Sequence, residues 1–245
     1  MFGGTAMTLD ELVSQLRAAH GDALLGVVLY GSTVTDAAAK RGHNVLVVVR
    51  TLDVAAMRAN GAIGLAWEEA GNAIPLTLTE AEWRSSVDVF AIEHADIADR
   101  HRVLHAAAGF AVTPVGSVHV ADIRRQIEYE LLAQVLGVRA AITHAGSDVK
   151  AQRALLSAHS SRAVAMMRGA LRIAGQPPAA DAAESIAAAA RLAGFDPAPF
   201  IAAYRQRHDG GDVSRADLPA VLSGFHEGLS TLLAYVDRVG KTQAH

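Results

Sequence analysis

Two short apolar runs decide the fold: ALLGVVLYGS occupies positions 23–32, and HNVLVVVR occupies positions 43–50 after a polar loop. Both runs are rich in valine and leucine and too short for core helices, so we expect them to form buried strands. Gly31 ends the first run, where the backbone must turn sharply or approach another group closely. Ser32 adds a hydroxyl and an N–H, and such a turn can hold a phosphate through backbone donors. The alternative is a plain turn between two strands.

The sequence Tyr30-Gly31-Ser32, a short loop and a following strand together resemble the nucleotidyltransferase superfamily, which includes DNA polymerase β and the aminoglycoside nucleotidyltransferases. In that family, Asp-x-Asp follows the Gly-Ser turn after about ten residues and holds Mg²⁺ against a nucleoside triphosphate. The resemblance implies nucleotide binding at Gly31, Ser32 and Thr33, with Mg²⁺ as cofactor if the chain is active and no cofactor otherwise. It also implies a small mixed β-sheet with helices, followed by a helical bundle.

The window that should carry the two carboxylates departs from the family's pattern. Residues 41–46 read RGHNVL, which contains neither aspartate nor glutamate. His43, Asn44 and Val45 therefore stand at degenerate metal positions. An imidazole is a poor ligand for Mg²⁺, and an amide supplies only one neutral oxygen. The sequence thus predicts that efficient metal-dependent transfer is lost although the fold is kept.

A later stretch, VDVFAIE at positions 87–93, supplies the other candidate acid groups. Its period of two predicts a strand in which Asp88 shares a face with Phe90 and Ile92. A carboxylate on such a face is costly unless it is paired or bound to a metal. The resemblance gives Asp88 the role of a third carboxylate that binds metal or acts as the catalytic base, and Glu93 is the second catalytic candidate. The alternative is that Asp88 caps a backbone turn at the start of the strand.

Hydrophobic periodicity divides the chain into two predicted domains. Residues 1–113 show the order helix, strand, strand, helix, strand, strand, whereas residues 114–245 show only the spacing of helices. The aperiodic segment 109–117, which contains glycine and proline, is the expected boundary. The sequence therefore predicts an α+β fold: a nucleotidyltransferase-like α/β domain followed by an all-α helical bundle domain.

The composition excludes several classes of protein. The chain has 245 residues, a hydrophobic fraction of 51%, a formal net charge of −3 and no cysteine. It can bury a core, has no thiolate metal site, and is not a generally cationic nucleic-acid binder. No apolar run has the length of a membrane span, and residues 1–7 lack the pattern of a signal peptide. We therefore expect a cytoplasmic protein that has neither a membrane nor a nucleic acid as partner.

Two functions from different classes remain open. In the first, the protein is a nucleotidyltransferase-like pseudoenzyme that binds a nucleotide, a small molecule, a protein or a second copy of itself. Residues 86–104 resemble a bacterial nucleotidyltransferase-like group in which the metal motif is often degraded. In the second, an active enzyme moves a nucleoside monophosphate from a triphosphate to a small-molecule or protein hydroxyl, using Asp88 and Glu93. The position of Asp36 separates the two, because a second carboxylate beside Asp88 would favour activity.

Overall fold

A computed structural model describes residues 7–34, 42–112, 118–208 and 210–242 of the chain. The chain divides into two compact units, Met1–Val118 and His119–His245. The predicted combination of helices with a small mixed sheet is confirmed, since the described residues of the first unit form four strands and those of the second form only helices. The predicted boundary between residues 113 and 114 falls in the segment 113–117, which lies outside the described residues.

The first unit is built on one sheet with four helices. Its strands are β1 (Leu24–Tyr30), β2 (Asn44–Val49), β3 (Leu76–Thr79) and β4 (His101–Ala106). They lie in the order β3-β2-β1-β4, with β1 antiparallel to both β2 and β4, and β2 parallel to β3. Its helices are α1 (Leu9–His20), α2 (Val54–Glu69), α3 (Glu80–Ser85) and α4 (Ala91–Asp99). The two strands predicted on either side of Gly31 are therefore confirmed as an antiparallel pair at the centre of the sheet.

The two central strands are apolar on both faces because helices cover both. One face belongs to the α1/α2 cluster, which contains Val27, Leu29, Val45, Val47, Val49 and Trp67. The other belongs to the α3/α4 cluster, which contains Val28, Leu46, Val48, Trp83 and Ile97. Neighbouring residues of β2 therefore point toward different pairs of helices, and this alternation fixes what each residue near the end of the sheet can contact.

The predicted strand at residues 87–93 is wrong. Residues 87–89 form a turn, Ala91 begins α4, and the fourth strand of the sheet is β4. The period-two pattern covers too few residues to separate a strand from the first turn of a helix. The buried residues of α4 follow helical spacing instead: Ala91, Ile92, His94, Ala95 and Ile97. Sequence patterning misses β4 because it is an edge strand of this sheet and carries His101, Arg102 and His105 among its six residues.

The described elements of the second unit are five helices. They are α5 (Val120–Ala145), α6 (Val149–Ile173), α7 (Ala182–Ala193), α8 (Ala198–His208) and α9 (Leu218–Thr242). Helix α5 packs against α6 and α9, and α6 also packs against α7 and α8. In the part of the chain that the structure describes, none of the helices has both the length and the apolar character that a bilayer crossing requires.

A buried histidine links α3 and α4 on one side of the sheet. The ring of His94 stacks on that of Trp83, with ring centroids 3.8 Å apart, and His94 Nε2 lies 3.0 Å from Ser86 Oγ. Only 1% of the surface of His94 is exposed. Burial lowers the pKa of His94 to about 4, because an imidazolium in this position would lose its hydration.

We expect the first unit to lose stability as the pH falls from about 6.5, the ordinary pKa of histidine, to about 4. In this window the unfolded chain binds a proton that folded His94 does not, so stability falls by at most about 1.4 kcal/mol per pH unit. Tryptophan fluorescence in urea measures it, because Trp67 and Trp83 are the only tryptophans and both lie in this unit. His94→Phe should flatten the dependence, whereas His144→Phe, an exposed histidine of α5, should not. An unchanged slope in His94→Phe would contradict the assignment.

Candidate functional site

The turn predicted at Gly31 is present, and its backbone conformation favours a glycine. Gly31 follows β1 with a φ of 84°, which other residues adopt only with strain. A Cβ at Gly31 would also lie 3.1 Å from Asn44 Nδ2. Ser32–Val34 then form one turn of 3-10 helix. Asp36, whose position was expected to separate the two functions, lies outside the described residues.

Thr33 supports a ligand at this turn. Its Oγ1 is buried and has no hydrogen-bond partner among the residues that the structure describes. A buried hydroxyl without a partner is costly, and a polar group bound at the turn would satisfy it. Of the three residues that the family resemblance assigns to nucleotide binding, Gly31 and Thr33 thus have geometry that suits a ligand.

The carboxyl end of β1 brings three polar side chains to one face of the sheet. Tyr30 pairs with Asn44 of β2 and with His101 of β4, and residues paired across antiparallel strands point to the same face. Tyr30 packs against the α3/α4 cluster, which identifies the face. His101 Nδ1 lies 2.7 Å from the Ile97 carbonyl oxygen, so in the neutral ring Nδ1 donates and Nε2 remains an acceptor. We call Asn44, Tyr30 and His101 the Tyr30 row.

Helix α4 adds two carboxylates beside the Tyr30 row. Glu93 and Asp96 lie three residues apart on α4 and therefore on one side of the helix. Burial, and after it the negative charges of Glu93 and Asp96, hold the pKa of the Tyr30 phenol well above its ordinary value. The phenol thus stays neutral and can donate a hydrogen bond. The carboxylates of Glu93 and Asp96 therefore lie near the Tyr30 row, which supplies several hydrogen-bonding groups.

The three degenerate metal positions point to two different faces. Asn44 belongs to the Tyr30 row, whereas Val45 lies in the α1/α2 cluster and the His43 ring stacks 5.9 Å from that of Trp67 in α2. Asn72 fixes this geometry, because its Oδ1 accepts a hydrogen bond of 3.1 Å from the His43 N–H. Carboxylates at His43 and Val45 would therefore be buried against α2. By strand alternation, the residue that shares the face of Asn44 is Leu46.

The two catalytic candidates have different positions. Asp88 is exposed in the turn between α3 and α4, so its predicted place on a buried strand is wrong, and a position at a turn was the alternative. Its role as a metal ligand stays a prediction. Glu93, by contrast, lies close enough to Tyr30 to raise its pKa. Within the described ranges, no group of three or more histidine, aspartate or glutamate side chains is arranged to hold a metal ion.

Sequence reasoning misses Tyr30, His101 and Asp96 as site residues. Tyr30 stands directly before Gly31, but its partners are known only once β1 is paired with β4. His101 is brought to the row by that same pairing. Asp96 gains its position from α4, a helix that the period-two pattern hides. The one local signal for these residues is the tyrosine that precedes the Gly-Ser turn.

Ser86 Oγ and His94 Nε2 lie as close together as a nucleophile and its general base, but a substrate could not reach them. Both side chains are buried, and the His94 ring is covered by Trp83. His94 Nδ1 has no hydrogen-bond partner among the described residues, so no carboxylate orients the ring as catalysis requires. We interpret the pair as a contact of the core.

A pocket of about 770 Å³ lies at the opposite end of β1, where the strand begins. Its charged lining residues are Arg17, Arg50, Asp10 and Asp22, with His105 of β4 beside them. Because two cationic and two anionic side chains offset each other, the pocket favours neither a cation nor an anion. It is separate from the Tyr30 row.

Matched substitutions in β2 test its two faces. We expect Val45→Asp to lower the free energy of unfolding by about 3 kcal/mol or more, because its carboxylate would be buried without a partner. Val45 is 1% exposed in the α1/α2 cluster. We expect Asn44→Asp, which changes a partly exposed polar group, to cost about 1 kcal/mol or less. Urea unfolding followed by tryptophan fluorescence measures both. Equal losses would contradict the assignment of the faces.

Comparison with known proteins adds no family to this geometry, since neither a protein-family model nor a curated protein matches the chain. What the site can do therefore follows from its own residues. These are a glycine turn, a buried Thr33 hydroxyl that no described residue satisfies, and a polar row flanked by two carboxylates.

Proposed function

We propose that this protein is a nucleotidyltransferase-like binding protein that has lost efficient metal-dependent transfer and binds a small polar ligand at the Tyr30 row. One observation carries the proposal: the face of β2 on the side of Tyr30 bears Asn44 and Leu46 and no carboxylate. The family resemblance requires two carboxylates on this strand. Two features support the resemblance. One is the glycine turn that follows β1 before the antiparallel strand β2, and the other is the helices of the second unit, where the family has a helical bundle.

The chemistry of phosphoryl transfer explains why activity would be lost. Two-metal catalysis places cations against the triphosphate, and each cation needs anionic oxygens from the protein. An amide at Asn44 and an aliphatic side chain at Leu46 supply none. Losing one preorganised charge at such a centre costs about 3 kcal/mol, or roughly a hundredfold in rate. Two such losses together would lower the rate by about ten thousandfold.

The charges beside the Tyr30 row favour a ligand with amines or hydroxyls. Glu93 and Asp96 repel a triphosphate that carries no metal, and they attract cationic and hydrogen-bond-donating groups. The neutral Tyr30 phenol can donate a hydrogen bond, and the Thr33 hydroxyl can donate or accept one. An amine- or hydroxyl-bearing small molecule fits these groups better than a free nucleotide.

Active transfer is the second candidate, and one observation favours it. Glu93 and Asp96 lie beside Tyr30, so α4 offers two carboxylates at the end of the sheet where β2 has none. In this candidate Glu93 binds Mg²⁺ or takes the proton of the attacking hydroxyl. One pair of carboxylates on one helix would have to replace the ligands that the family places on β2.

A thermal-shift screen separates the two candidates, because a ligand that binds only the folded state raises the melting temperature. The panel combines nucleoside triphosphates, with and without Mg²⁺ or Mn²⁺, and amine- and hydroxyl-rich small molecules. We expect members of the second group to stabilise the protein without a metal. The double variant Glu93→Gln with Asp96→Asn should lose that stabilisation, and Glu184→Gln, at an exposed glutamate of α7, should keep it.

Pyrophosphate release from each triphosphate, in the presence of candidate acceptors, provides the opposing readout. We expect it to stay at the background rate with either metal. Release that vanishes in Glu93→Gln and persists in Glu184→Gln would overturn the loss of activity and establish the second candidate. Stabilisation that is unchanged in the double variant would contradict binding at the Tyr30 row.

A further inference from the structure

Helix α2 carries an exposed apolar stripe on the side away from the sheet. Val54, Met57 and Leu65 expose 61%, 49% and 60% of their surface, although each is a large apolar residue. With Gly61 they follow the spacing i, i+3, i+7 and i+11, which places all four on one side of the helix. We call these four residues the α2 stripe. Contiguous exposed apolar surface of this kind marks an interaction site.

Gly61 lies at the middle of the α2 stripe, and the chain itself gives no reason for a glycine there. A Cβ at Gly61 would meet no described atom within 4 Å, and Gly61 is not among the glycines with positive φ. A glycine inside an exposed helix lowers helix stability relative to alanine. A position of this kind is useful where another backbone approaches closely. The open space at Gly61 therefore leaves room for a second helix to cross α2 closely at this point.

We propose that the α2 stripe binds a second copy of this chain, with the two α2 helices crossing antiparallel at Gly61. The charges of α2 favour this partner and this direction. Arg58 lies in the first half of the helix, and Glu68 and Glu69 lie in its last turn, all of them exposed. An antiparallel pair sets the first half of each helix against the last turn of the other, so that opposite charges meet.

The direction of helical side chains strengthens this charge match. Side chains on a helix lean toward its own N-terminus. In an antiparallel pair, Arg58 of one copy and Glu69 of the other therefore lean toward each other across the interface. A parallel pair would instead set Arg58 against Arg58 and Glu69 against Glu69, which repel each other.

A two-fold axis through Gly61 also pairs apolar residues at the centre of the interface, and it sets Val54 at the edge opposite Glu68. Met57 of one copy lies opposite Leu65 of the other, because both are four residues from Gly61 in opposite directions. Such a surface is self-complementary, as a two-fold dimer requires. Ile74, which is 60% exposed beside Gly64 of α2, extends the patch. One helix and one side chain make only a small contact, and small interfaces are typical of weak or transient complexes, so we expect a weak, reversible dimer.

Cross-linking through Gly61→Cys tests the crossing point directly, because the chain has no cysteine of its own. A crossing at Gly61 brings the two introduced residues to the symmetry axis, within the Cα separation of about 4.4–6.8 Å that a disulfide allows. Under mild oxidation we expect Gly61→Cys to form a disulfide dimer. The matched control Leu132→Cys, at a residue of α5 that is 49% exposed, should stay mostly monomeric. Equal cross-linking of the two variants would overturn the crossing.

Sedimentation equilibrium of the full chain, from micromolar to submillimolar concentration, tests the association itself. We expect a reversible dimer, which Gly61→Leu weakens by about tenfold or more. Leucine makes the patch more apolar, so stronger association of Gly61→Leu would show a non-specific surface and overturn the close crossing. Arg58→Glu should weaken the dimer, and adding Glu69→Arg should restore it. A monomer at every concentration would overturn the proposal, whether the stripe is bare or covered by another protein.

Discussion

Burial of β1 and β2 on both faces is the constraint on which the rest of the first unit depends. Each buried valine or leucine contributes about 1.5–3 kcal/mol relative to exposure, so a two-sided apolar pair is stable only when helices cover both sides. Helices α1 and α2 cover one face, and α3 and α4 cover the other. The strands must also stay in register, because a slip by one residue would exchange the contents of the two clusters.

This alternation also decides which residues can act at the end of the sheet. The face of the sheet that α4 covers carries Tyr30, Asn44 and His101. The side chains of His43 and Val45 lie on the other face, against α2. The anionic groups beside Tyr30 come from α4 and not from β2. The same burial that stabilises the sheet therefore leaves only an amide and a leucine on the face of β2 that lies toward Tyr30.

Patterns in the sequence predict a structural element well when the interactions that form it join residues close together in the chain. At the start of α1, Thr8 and Glu11 form a capping box, which is a pattern within four residues: the Glu11 N–H donates to Thr8 Oγ1 at 3.2 Å, and the Thr8 N–H donates to Glu11 Oε2 at 2.8 Å. Gly31 follows from the end of an apolar run. The position of Asp88 does not follow from the sequence, because an alternation over seven residues also suits the start of a helix. Strand β4 is missed as well, because an edge strand with two histidines lacks an apolar pattern. The Tyr30 row depends on strand pairing over long sequence distances, which no local pattern records.

Paramagnetic broadening by Mn²⁺ in amide NMR spectra tests most directly whether the Gly31 end of the sheet is a metal centre. The titration is run at physiological salt with a nucleoside triphosphate present and absent. We expect substoichiometric Mn²⁺ to broaden amides near Gly31 and Asn44 no more than amides near the exposed Glu68 and Glu69 of α2. Saturable broadening confined to Gly31, Asn44 and Glu93 would contradict the proposed loss of metal-dependent chemistry.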